Sequence, residues 1–178
     1  MGKMHNIFGG GKQPNINGLK FERDTSLDEA LIRVGYTIIN GEVFDKDNNR
    51  IGLSIPKNDL YRNFLDKNNI DYRNYNSKKW LPDEAFLNFK TRTIYIIEKK
   101  YQQSPGSVDE KLPNCDFKKK EYIKLFTPLN INVNYIYVFN DWYQAKQYKD
   151  VLDYILEVGC EYYYNSIPFE ALGLEKDD

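Results

Sequence analysis

The hydrophobic pattern of the chain mixes short apolar runs with helical spacing, which predicts a fold that contains both strands and helices. Residues 94–97 (Ile-Tyr-Ile-Ile) are β-branched or aromatic throughout, as in a buried strand. Residues 133–139 and 160–164 are runs of similar character and predict two further strands. Residues 86–93 predict a hairpin that leads into the 94–97 run.

A second hairpin is predicted nearer the N-terminus. Residues 36–39 and 42–44 have strand composition, and Asn40-Gly41 between them is a favoured two-residue hairpin turn. Residues 51–55 predict one more short strand. Together with the later runs, these segments predict a sheet whose first strands are joined by tight turns.

Helical spacing of apolar residues separates these strands. The predicted helical segments cover about residues 18–34, 57–79 (irregular toward its end), 116–126 and 141–158. The polar cluster at 24–26 can divide the first helix. Asp116 and Asp141 are predicted N-caps, and Gly159 is predicted to end the last helix. The order of elements predicts an α/β fold with a mixed sheet.

Charged residues come directly after the 94–97 run, as Glu98-Lys99-Lys100. Side chains alternate along a strand, so Glu98 and Lys100 point to one face and Lys99 to the other. Charge at the end of an apolar strand is costly unless the groups pair, bind a metal or take part in chemistry. Asp83, in the preceding segment, supplies a second carboxylate. These residues are therefore the candidate functional group of the chain.

This arrangement resembles the PD-(D/E)xK nuclease superfamily, the fold of many type II restriction endonucleases. Pro82-Asp83 matches the first half of its motif and Glu98-Lys99-Lys100 the second. Glu22 matches the acid of the upstream helix, and the run 102–112 is similar to the segment after the motif in restriction-type members. The resemblance implies an α-β-β-β-α-β core with helices on both faces of a central mixed sheet.

The resemblance also implies a metal-dependent phosphodiester hydrolase. Asp83 and Glu98 would bind Mg²⁺, for which Mn²⁺ would substitute, because oxygen ligands suit these cations. Lys100 would orient the attacking water and stabilise developing charge. Glu22 would complete a second metal position or hold a metal-bound water. The expected catalytic residues are thus Asp83, Glu98, Lys100 and Glu22, of which the three acids are the expected metal ligands.

Substrate contacts are predicted on both sides of the central stretch, where the basic clusters of the chain also lie. The candidates are Gln102, Ser107 and Lys111 after the motif, and Arg62, Arg73 and Lys78 before it. Cationic groups mixed with flat side chains can contact phosphates and stack on bases. The same composition is also ordinary for a protein surface.

Composition limits the alternatives. The 178 residues, 41% hydrophobic, suit one folded domain, expected over 18–178 after a flexible N-terminal arm over 1–17. One histidine disfavours His-dependent catalysis, and two cysteines disfavour a disulfide scaffold. The formal net charge of −1 counts mildly against nucleic acid as a partner. A cytoplasmic protein without a membrane segment is expected.

The leading hypothesis is a magnesium-dependent, restriction-type endonuclease that acts on double-stranded DNA as a homodimer and leaves 5′-phosphate and 3′-hydroxyl ends. A homodimer would present one active site to each strand of a palindromic duplex. The first alternative is a repair, junction-resolving or phage-type nuclease of the same fold, which recognises DNA structure. The second is a non-enzymatic α/β interaction module.

Overall fold

A computed structural model describes residues 16–106 and 109–175. Ser107, the acidic tail at 176–178 and the predicted N-terminal arm up to residue 15 lie outside the described residues. Helix α1 begins at Ile16, two residues before the predicted start of the folded domain. Within the described ranges, no helix has both the length and the apolar character needed to cross a bilayer.

One seven-stranded mixed sheet contains all strands of the described residues. In spatial and chain order these are β1 (Thr37–Ile39), β2 (Glu42–Phe44), β3 (Arg50–Pro56), β4 (Glu84–Asn88), β5 (Thr93–Lys100), β6 (Asn132–Phe139) and β7 (Glu161–Tyr164). Neighbouring strands from β1 to β5 are antiparallel, whereas β5, β6 and β7 are parallel. The predicted mixed sheet is confirmed.

Helices connect the parallel strands and precede the sheet. They are α1 (Ile16–Asp24), α2 (Leu27–Arg33), α3 (Cys115–Phe126) and α4 (Lys149–Glu157). The 57–79 region forms a π-helical turn, Leu60–Leu65, followed by short 3-10 segments. Helix α3 joins β5 to β6 and α4 joins β6 to β7, because a parallel pair requires a crossover.

Several local predictions are confirmed. The first helix breaks where expected, because the Ser26 side chain accepts a hydrogen bond from the Glu29 N–H and starts α2. Asn40 and Gly41 have φ values of 51° and 83°, as a type I′ hairpin turn requires. Gly159, at φ 70°, lies just after the end of α4 and permits the left-handed exit of the chain.

Two helix starts differ from the prediction. Helix α3 begins at Cys115, so Asp116 lies in the first turn and pairs with Lys120. The predicted helix from Asp141 is wrong, because 3-10 turns and an extended Ala145 precede α4. The reason is a tertiary contact. The rings of Tyr143 and Tyr148 are buried and pack with their centres 5.0 Å apart, in the segment that precedes α4.

The sheet has an apolar layer on each face. Helices α3 and α4 pack on one face, here called the α3 face, where Ile94 and Ile96 of β5 point. Helices α1 and α2 pack on the other, the α1 face, where Tyr95 and Ile97 point. Continuing this alternation sends Glu98 and Lys100 to the α3 face and Lys99 to the α1 face.

Gly52 in β3 permits close packing of the sheet, which leads to a stability prediction. A Cβ at this position would lie 2.5 Å from the Leu87 carbonyl oxygen and 2.8 Å from the Phe86 ring. Gly52→Ala should therefore lower the free energy of unfolding by about 1–3 kcal/mol. Gly106→Ala is the control, since its Cβ would meet Gln102 only at 3.6 Å. Equal urea midpoints for both variants would contradict the prediction.

Candidate active site

Asp83 and Glu98 meet at the end of the β4–β5 pair. Glu84 pairs with Ile97, so the next position along the ladder sets Asp83 opposite Glu98. The Asp83 N–H donates to the Ile97 carbonyl (3.1 Å), and the Lys99 N–H donates to Asp83 Oδ2 (2.8 Å). Residues directly opposite each other in an antiparallel pair share a face. The two carboxylates therefore lie side by side on the α3 face.

Glu98 is a nearly buried carboxylate that contacts two ammonium groups. Its side chain is 6% exposed; Oε2 lies 2.8 Å from Lys100 Nζ and Oε1 lies 3.1 Å from Lys118 Nζ. Both lysines retain some contact with solvent, at 22% and 23% side-chain exposure. Such pairing offsets the cost of burying a charged group.

The contacts of Lys100 show which oxygen atoms at this site hold a cation. Its Nζ contacts Glu98 Oε2 and, at 3.3 Å, the carbonyl oxygen of Lys99. A cation is thus already held between a carboxylate and a main-chain carbonyl, and both are hard oxygen donors of the kind Mg²⁺ prefers. With the Asp83 carboxylate next to them, these donors fit the divalent cation that the sequence predicts.

Asp83 is the more exposed of the two acids, with a 28% exposed side chain. Its Oδ1 lies 3.9 Å from the Nζ of Lys57, the residue immediately after β3. Beneath the acids, burial raises the pKa of Tyr122, and the charges of Glu98 and Asp83 raise it further. The Tyr122 hydroxyl therefore stays protonated, and it donates to the Trp80 carbonyl (2.9 Å).

Glu22 lies on the other side of the sheet. Helix α1 packs on the α1 face through Phe21, and Lys99 Nζ donates to the Glu22 carbonyl oxygen (3.0 Å). Among residues 16–106 and 109–175, no three acidic, histidine or cysteine side chains are grouped closely enough to hold a metal ion. The structure therefore does not assemble Glu22 with Asp83 and Glu98 as a three-acid set, and its role stays a prediction.

Lys99 and Glu84 form a second ion pair behind the site, on the α1 face. Lys99 Nζ lies 3.0 Å from Glu84 Oε1, and the two side chains are 4% and 24% exposed. Burial raises the pKa of Glu84, and Lys99 partly opposes that shift. The Leu27 N–H at the start of α2 also donates to Glu84 (3.3 Å). This pair joins the N-terminal helices to the strands that carry both candidate acids.

The predicted contacts after the motif have different surroundings. Gln102 is buried, where its Oε1 accepts from the Tyr143 hydroxyl (3.0 Å) and its Nε2 donates to the Ser104 carbonyl (2.8 Å). These hydrogen bonds stabilise the turn after β5, so Gln102 has a structural role there. Lys111 is exposed on the 3-10 segment Asp109–Asn114. Substrate contact by either residue stays a prediction.

The predicted contacts before the motif are all exposed. Arg62 lies on the π-helical turn. Arg73 is paired with Asp71 (Nη2–Oδ2 2.6 Å), and its guanidinium lowers the pKa of that carboxyl to about 2. Lys78 Nζ lies 4.0 Å from the centre of the Trp80 ring, which packs against Phe117 of α3 at 5.5 Å. Lys78 is thereby linked to the helix that carries Lys118.

Sequence reasoning did not assign Lys118 or Lys57 to the site. Lys118 lies three residues after Cys115 and four before Tyr122, and both of those residues are fully buried. A lysine on the buried side of a helix is a signal that its ammonium group has a partner in the protein. Lys57 carries no such signal, because only the folding of β3 beside β4 brings it near Asp83.

Residues 67–129 match the model of the PD-(D/E)XK nuclease superfamily domain. The match covers about a third of the 178 residues, and it shows what this segment is similar to. The matched segment contains Asp83, Glu98, Lys100 and Lys118, and the mixed α/β sheet is consistent with the fold of this superfamily. No curated protein and no solved structure shows a significant match to the chain. The nuclease superfamily match supports a nuclease-like function, with nucleic acid as the class of substrate.

Proposed function

We propose that the protein is a magnesium-dependent endonuclease of the type II restriction kind. It cleaves double-stranded DNA and leaves 5′-phosphate and 3′-hydroxyl ends. The observation that carries the proposal is the pairing of Asp83 with the buried Glu98, beside Lys100, inside the segment that matches the nuclease superfamily. Two acids and an ammonium group on one face are the chemistry that the motif requires.

Asp83, Glu98 and the Lys99 carbonyl would hold the divalent cation. When bound, the cation neutralises phosphate charge and lowers the pKa of an attacking water. The Lys99 N–H bond to Asp83 Oδ2 fixes one acid, and the strand pairing fixes the other, so neither has to be ordered when substrate arrives. Such preorganisation is the main contribution of a protein to charge stabilisation.

Lys100 acts at the reacting atoms. Its ammonium group is a hydrogen-bond donor on the same face as Glu98, and its 22% exposure leaves it accessible from solvent. In this role Lys100 would donate to the attacking water and to a phosphate oxygen. Donors aimed at developing negative charge accelerate phosphodiester hydrolysis most when water is partly excluded.

DNA approaches over the lysines around the acids. Lys57, Lys100 and Lys118 border Asp83 and Glu98, and the exposed Lys78 and Lys111 are further candidates for phosphate contacts. Neutralising phosphates releases counterions, so binding should weaken as salt rises. A homodimer would bring two such sites to opposite strands of a symmetric sequence.

Incubation of the full chain with long, unmethylated duplex DNA and MgCl₂ tests the proposal. Discrete fragments with 5′-phosphate ends are the expected result, and EDTA should prevent their formation. Cleavage limited to branched or single-stranded DNA would favour the structure-specific alternative. Absence of cleavage on duplex, branched and single-stranded DNA, with Mg²⁺ or Mn²⁺, would refute the nuclease assignment. Sedimentation equilibrium at the assay concentration tests the homodimer.

A further inference from the structure

Lys118 is directed into the candidate active site, whereas its neighbours on α3 are not. Lys118 Nζ contacts Glu98 Oε1 at 3.1 Å. Lys119 donates to the Gly159 carbonyl, and Lys120 pairs with Asp116 in the preceding turn. One of three consecutive lysines therefore points at the buried acid, and its position on the inner side of α3 accounts for that direction.

The two oxygens of Glu98 each hold one ammonium group. Lys100 occupies Oε2 and Lys118 occupies Oε1, so the carboxylate is fully paired in the absence of a metal. A divalent cation that takes Glu98 as a ligand has to compete with at least one of these lysines. Because charge-assisted hydrogen bonds are strong when partly desolvated, that competition weakens metal binding.

The displaced ammonium remains close to the place where a phosphate would lie. Lys118 keeps 23% of its side chain exposed, so its Nζ can leave Glu98 without leaving the surface of the site. The nearby Lys100 also lies over the Tyr137 ring, 5.9 Å from its centre, which gives it a second partner outside the proposed metal ligands. Of the two lysines, Lys118 has the fewer contacts that hold it at the acids.

We propose that Lys118 is a second catalytic cation of this site, which neutralises Glu98 in the free protein and binds a phosphate oxygen of the substrate once a divalent cation has taken its place. This inference rests on the proposed function. It assigns Lys118 two successive partners, the carboxylate and then the phosphate. Loss of the side chain therefore affects metal binding and catalysis in opposite directions.

Lys118→Met should bind Mn²⁺ about three- to tenfold more tightly than wild type, since one competitor for Glu98 is removed. Its single-turnover cleavage rate at saturating metal should fall about a hundredfold, since one donor to the phosphate is lost. Its affinity for duplex DNA in Ca²⁺ should also fall. Isothermal titration of Mn²⁺ into the full chain, without DNA, gives the first value independently of activity.

Two further variants control the experiment. Lys120→Met removes an exposed lysine from the same helix and should match wild type in metal affinity and rate. Lys118→Arg retains a cation and should recover most of the cleavage rate. Thermal melting compares the stability of all the variants with that of wild type.

The inference is overturned if Lys118→Met leaves both the Mn²⁺ affinity and the rate unchanged. It is equally overturned if both fall together, because a lysine with only a structural role would weaken the whole site. Failure of the proposed function has a different signature. In that case wild type itself shows no metal-dependent cleavage, and Glu98→Gln has the same Mn²⁺ affinity as wild type.

Discussion

Glu98→Gln should reduce the rate of DNA cleavage by at least two to three orders of magnitude, roughly the loss seen when one charge-stabilising group is removed from an active site. The amide keeps the size of the side chain but cannot carry the negative charge that attracts a divalent cation. It also leaves Lys100 and Lys118 without their shared carboxylate. Single-turnover cleavage and Mn²⁺ titration on the same preparation measure both effects.

Asp83→Asn and Lys100→Met should inactivate the protein for different reasons. Asp83→Asn should weaken metal binding, because Asp83 is the other carboxylate at the end of the β4–β5 pair. Lys100→Met should bind metal at least as tightly as wild type but lose rate, because the proposed role of Lys100 is that of a donor and its ammonium competes with a metal for Glu98. Asp153→Asn, in an exposed α4 pair, is the control. Full activity in Glu98→Gln, Asp83→Asn and Lys100→Met would refute the assignment of these residues.

Lys99→Met should lower the free energy of unfolding by about 3 kcal/mol, the typical cost of leaving a buried partner unpaired. Lys99 is 4% exposed, and its loss leaves the Glu84 carboxylate without its cation on the α1 face. Lys149→Met, which removes an exposed lysine paired with Asp153, should hardly change the melting temperature. Chemical denaturation of both variants measures the difference.

The cost of Lys99→Met should depend on pH in a defined direction. Burial raises the pKa of Glu84, and loss of Lys99 removes the group that opposes this shift. A carboxyl whose pKa is raised in the folded state destabilises the fold as pH rises through that value, and not below its unfolded pKa. The stability lost on Lys99→Met should therefore shrink as pH falls from neutral toward the ordinary pKa of a glutamate carboxyl. Adding Glu84→Gln should restore stability at neutral pH; an unrestored double variant would contradict this account.

The strand that carries Glu98 and Lys100 was predictable because strand periodicity is a local property. The run at 94–97 predicted β5, and alternation along it predicted that Glu98 and Lys100 share a face, as they do. The Asn40-Gly41 turn and the break before α2 were predictable for the same reason, since a few neighbouring residues decide them. The helix expected from Asp141 failed because buried aromatic contacts outweighed the local capping signal.

The surroundings of the motif depend on contacts between distant parts of the chain. Lys118 reaches Glu98 only because α3 packs on that face of the sheet, and Lys57 approaches Asp83 only because β3 pairs with β4. The sequence also did not predict where Glu22 lies, because its place before the sheet does not reveal which face α1 covers.

From residue order alone one obtains the mixed α/β class, the strand that carries Glu98 and the face that Glu98 shares with Lys100, since backbone alternation and turn chemistry act over a few residues. Folding decided which cations neutralise each acid and placed the Glu84–Lys99 pair behind them. Those choices depend on strand register and helix packing between distant residues. The Lys118–Glu98 pair, for example, joins residues 20 positions apart, a distance over which no local pattern carries information.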